Sequence, residues 1–79
     1  MARYGKKTRI KPSEVIERAE RFFGSGGLGL EIVDRSDEMI CFEGGGGHVT
    51  ITACRNDETQ VDLETREWDY QVKEFMNKL

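Results

Sequence analysis

The sequence predicts an α+β fold: a two-layer sandwich with two helices on one face of a four-stranded antiparallel meander, in the order α-β-β-β-β-α. Three observations predict it. Apolar residues follow the helical period from 12 to 23, then alternate in short runs between 28 and 64. Helical spacing returns at Trp68, Val72, Phe75 and Leu79.

The first helix is the plainest element. Pro12 suits its opening position, because the missing proline N–H would lack a partner there. Ile10 and Val15 stand at the spacing of a hydrophobic staple, and Glu14 and Glu17 favour the positive end of the helix dipole. Val15, Ile16, Ala19, Phe22 and Phe23 supply the apolar side, and Gly24 stops the helix.

From Leu28 the side-chain period becomes two. Leu28, Leu30 and Ile32 are expected to point inward and Gly29, Glu31 and Val33 outward. Arg35-Ser36-Asp37 reads as a turn into Met39–Glu43, four glycines lead into His48–Cys54, and Asn56-Asp57 leads into Gln60–Glu64. Short links favour antiparallel neighbours, since parallel ones need long crossovers. Pairing Ile32 with Ile40, Phe42 with Val49 and Ala53 with Val61 keeps the apolar residues on one face. In the second helix Thr65 is the expected N-cap and Trp68 a core residue, while Tyr70 and Phe23 fall off the main stripes toward the rim.

Seventy-nine residues make room for one domain with a thin core. No apolar run approaches the ~20 residues that cross a bilayer, so no membrane partner is expected, and a cytoplasmic location follows by default. Cys41 and Cys54 fit neither a disulfide framework nor a zinc pattern. No catalytic residue, metal or cofactor is assigned.

Charge is unevenly placed. Arg3, Lys6, Lys7, Arg9 and Lys11 put five cations and no acid into the first eleven residues, whereas the remainder carries seven bases against fifteen acids. Residues 1–9 are expected to form a flexible basic arm ahead of a single domain at 10–79. The same cations, with Tyr4 to stack on a base, define a nucleic-acid reading.

Two further candidates arise from the sheet. The meander gathers the Gly24–Gly29 region, the Gly44–Gly47 run and the start of the second helix at one end, away from the arm. There Gly45, Gly46, His48 and Arg66 could hold a small anion, although Glu43, Glu64, Glu67 and Asp69 oppose one. Glu43 is expected opposite His48 with Glu64 adjoining, a set that reads as a solvated surface cluster. On the outward face, Val33, Met39 and Cys41 form an apolar patch where alternation calls for polar side chains. The leading reading is a non-enzymatic interaction domain that uses this patch to bind a protein partner, first of all its own copy as a homodimer. Nucleic-acid binding through residues 3–11 and anion binding at the glycine-rich end are the alternatives.

Overall fold

The computed structural model describes residues 2–79. Its elements follow in the order β1 (Ala2–Thr8), α1 (Pro12–Phe23), β2 (Glu31–Arg35), β3 (Met39–Gly44), β4 (Gly47–Asn56), β5 (Glu58–Arg66) and α2 (Asp69–Met76). Two helices and one antiparallel sheet make the fold α+β, but the sheet has five strands, ordered β1-β5-β4-β3-β2.

The fifth strand is the segment expected as an arm. Ala2–Thr8 pairs along β5 from Ala2 opposite Thr65 to Thr8 opposite Thr59. Met1 lies outside the described residues. Two physical facts make β1 a strand despite its lack of apolar alternation. The β5 edge offers unpaired backbone groups, which demand partners. Side chains on the inward side of β1 also find bonds at the far end of the chain. The Tyr4 hydroxyl donates to Asp69 Oδ2 at 2.8 Å, Lys6 Nζ to the Met76 carbonyl at 2.7 Å, and the Thr8 hydroxyl to the Leu79 carbonyl at 3.1 Å. β1 starts at the glycine-rich end and runs away from it, so the segment spans the sheet instead of lying opposite the glycines.

Helix α1 occupies 12–23 as its sequence dictates, with Pro12 in the first turn and the Gly24 N–H closing on the Glu20 carbonyl. It joins β1 and β2, which lie at opposite edges of the sheet and run parallel. Val15, Ile16, Ala19 and Phe23 of α1, with Val72 and Phe75 of α2, share one core with Ile40, Phe42, Val49, Ile51, Ala53, Val61 and Leu63 of the sheet. Both helices therefore cover the same face. The Phe23 ring sits 5.4 Å from Phe42 and 5.5 Å from Phe75, and it is wholly buried rather than at a rim.

Register in the two central pairings follows parity. Phe42 faces Val49, and Ala53 faces Val61. In β2 the outcome differs: Ile32 faces Phe42, Arg35 faces Ile40, and a bulge intervenes at Val33. Leu30 is buried, but Leu28, in the turn before β2, stays 41% exposed, and Ile32 stays 37% exposed because β2 overhangs the helical layer and every residue of it is exposed. Arg35 ties this overhang to α1 through Glu20 at 3.0 Å.

Thr65 does not cap α2. It lies in β5, faces the core, and its hydroxyl donates to the His48 carbonyl at 2.9 Å. The chain turns at Glu67, with φ of 74°, and Trp68 takes the N-cap position. Among the described residues no helix is long and apolar enough to cross a membrane.

Candidate functional site

The glycine run closes the β3–β4 hairpin. Gly44 pairs with Gly47, and Gly45 and Gly46 have φ of 58° and 80°, the two positive values that a tight type I′ turn needs. The turn is not an open cradle, because its own chain fills it. Trp68 packs against Gly45, where a Cβ would come within 2.9 Å of the indole, and Trp68 Nε1 donates to the Gly44 carbonyl at 3.0 Å. A Cβ on Gly47 would overlap the Arg66 carbonyl oxygen and approach Glu67 Cβ to 2.7 Å. The close approach implied by four glycines is thus made by Leu30, Trp68 and the end of β5. Of the four anion candidates, Gly45 and Gly46 form this turn, whereas His48 and Arg66 stand opposite each other on the outward face. Tyr70 is 72% exposed and borders an open hollow between the start of α2 and the ends of β1 and β5, with Ala2, Thr65, Arg66, Glu67, Asp69 and Gln71.

The outward face of the sheet is uncovered by either helix. Strand register orders its side chains into rows. Beside the glycine turn the row reads Glu31, Glu43, His48, Arg66, and the next reads Asp34, Cys41, Thr50, Glu64, Arg3. Then come Met39, Thr52, Asp62, Gly5, and finally Cys54, Gln60, Lys7. Glu43 does stand opposite His48, and His48 Nε2 lies 3.9 Å from Glu64 Oε1 on the other side. Among the described residues, no three His, Cys, Asp or Glu side chains converge to hold a metal ion.

Val33 is the extra residue of the β2 bulge, beside Cys41, and is 48% exposed. Cys41 Sγ lies 3.4 Å from Met39 Sδ and 3.6 Å from Thr50 Oγ1, so Met39 and Cys41 form a continuous sulfur-bearing surface, both half-buried. An open hollow of about 380 Å³ adjoins them, bordered by Arg3, Thr50, Thr52, Asp62 and Glu64.

Incorporation into β1 divides the basic residues. Arg3 pairs with Glu64 at 2.9 Å on the outward face, Lys6 is turned inward to Met76, and Lys7, Arg9 and Lys11 continue toward the other end of the sheet. Tyr4 faces α2, with Lys73 Nζ 5.5 Å from its ring centroid. Its hydrogen bond to Asp69, then burial, then the negative charge of Asp69 hold the hydroxyl above its ordinary value of 10. The folded state therefore keeps this proton more tightly than the unfolded chain. The resulting stability is complete below about pH 10 and is lost as pH rises through the folded-state value. Thermal melts of the wild type should decline through this alkaline window more steeply than those of Tyr4→Phe; parallel profiles would refute the linkage.

Comparison with protein-family models, curated proteins and solved structures finds no match to this chain.

Proposed function

We propose that the chain is a small non-enzymatic interaction domain that self-associates through the outward face of its sheet. The observation that carries this reading is the apolar surface of Met39 and Cys41, with exposed Val33 beside it, on a face that neither helix covers. A thin core of this size gains from a second layer, and a contiguous outward apolar group is what a contact surface offers. The bulge at Val33 bends the free β2 edge, which disfavours strand-to-strand addition on that side of the sheet. Two free cysteines suit a reducing compartment, and we place the domain in the cytoplasm.

Light scattering after size exclusion tests this reading, with loading raised to about 1 mM because small interfaces are weak. The mass should move from 9.0 kDa toward twice that value as concentration rises, and Met39→Lys should hold it at 9.0 kDa. A wild type that stays at 9.0 kDa throughout would remove the proposal.

A further inference from the structure

We infer that the occupant of the outward face is a second copy of the chain in one arrangement, with a two-fold axis running along β4, so that Met39 and Cys41 of each protomer enter the hollow over β5 of the other. This rests on the self-association proposed above and adds its geometry.

Three independent features of the face select that axis. The first is Gly5. It lies in the middle of β1, opposite Asp62, and is not among the glycines with positive φ, so the backbone does not require glycine there. Glycine inside a strand weakens it and often marks a close approach by another group. A Cβ at Gly5 would lie 3.3 Å from Gln60 Nε2, 3.5 Å from Asp62 Oδ1 and 3.9 Å from the Val61 carbonyl oxygen, and Asp62 is the residue through which Gly5 adjoins the hollow.

The second is position. The hollow lies over β1, β5 and β4, while Met39 and Cys41 lie on β3, the same distance to the other side of central β4 and in the same two rows. Rotation by 180° about β4 exchanges the two places, so each sulfur-bearing surface lands on its partner's hollow. Thr50 and Thr52, small and outward, lie on the axis between His48 and Cys54.

The third is charge. The β2–β3 side carries Glu31, Asp34 and Glu43 outward with only His48 beside them, and the β1–β5 side carries Arg3, Lys7 and Arg66 together with Asp62 and Glu64, the latter paired with Arg3. Glu31 and Glu43 stand directly opposite each other, a repulsive arrangement, and neither has an ion-pair partner among the described residues. An axis along β4 brings Arg66 over the second protomer's Glu43 and Arg3 over its Asp34, twice each. An axis across the strands would set Glu64 against Asp62 of the other copy. Complementary potentials fix register more than they add affinity, so they decide between these two axes.

Size sets the expected strength. Five strands spaced about 4.8 Å apart and four outward rows about 6.8 Å apart give roughly 500–600 Å² of flat surface per protomer. That is the lower end for specific association, so the dimer should be weak and concentration-dependent.

Sedimentation velocity on the intact chain, from about 10 μM to about 1 mM, tests the arrangement. Gly5→Leu should crowd the margin of the hollow at Asp62 and raise the dissociation constant roughly tenfold or more, while the melting temperature stays level or rises. Arg66→Glu and Glu43→Arg should each weaken the dimer to a similar degree, and an equimolar mixture of the two should re-form it, because both contacts in the mixed dimer regain opposite charges. A wild-type dimer unaffected by Gly5→Leu, or charge reversals that the mixture does not rescue, would overturn this geometry while leaving self-association standing. A wild-type monomer across the whole range would overturn both.

Discussion

Phe23→Ala should lose about 3–5 kcal/mol of stability, the usual cost of removing a buried aromatic ring and leaving its cavity. A chain of 79 residues has roughly 4–12 kcal/mol in total, so this single change consumes a large share of it and leaves a substantial unfolded fraction at room temperature. The reason is position. Phe23 ends α1, yet its ring meets Phe22 at 4.9 Å, Phe42 at 5.4 Å and Phe75 at 5.5 Å, joining both helices to the sheet. Phe22 is the internal comparison. It is half-buried and lies under Lys78 Nζ at 4.8 Å, so Phe22→Ala should cost about 1–2 kcal/mol, mostly lost area. Urea titrations of the two variants measure the difference. Equal midpoints would show that the ring cluster is not the centre of the core.

The second large effect belongs to the hairpin glycines, and it should be graded. At Gly47 an added Cβ strikes backbone, the Arg66 carbonyl, and the Glu67 Cβ at 2.7 Å. Neither group can swing away, so the ends of β4 and β5 must separate, and Gly47→Ala should cost about 2–3 kcal/mol. Gly46→Ala meets nothing within 4 Å but must hold φ at 80°, which costs about 1 kcal/mol. Gly26→Ala meets nothing, keeps an ordinary φ, and should be neutral or stabilising by up to about 1 kcal/mol. Thermal melts should rank the three in this order. If Gly47→Ala melted like Gly26→Ala, the close packing of Arg66 and Glu67 on this turn would be refuted.

These two tests mark where reading the chain alone stops. Phe23 lies at the edge of the helical stripe, and nothing local shows that Phe42 and Phe75 will meet it there. Four successive glycines announce that something approaches closely, but their spacing does not say that Trp68, more than twenty residues later, is what approaches. Glu43 opposite His48 was legible because short turns and alternation fix a hairpin's register. The hollow over β5 was not, because it requires β1 to be in the sheet.

By itself the sequence determined α1, the β3–β4 and β4–β5 pairings and the apolar face that both helices cover. Each depends on neighbours within a few residues or on a period that any short window displays. Only the tertiary structure decided that Ala2–Thr8 is a strand, that β5 extends through Thr65, and that β2 carries a bulge and overhangs the helices. The first of those outcomes depends on hydrogen bonds that the local pattern does not encode: Tyr4 to Asp69, Lys6 to Met76 and Thr8 to Leu79. A strand made of small and charged residues has no apolar signature of its own, and it forms because an open edge and a distant helix supply partners it would otherwise lack.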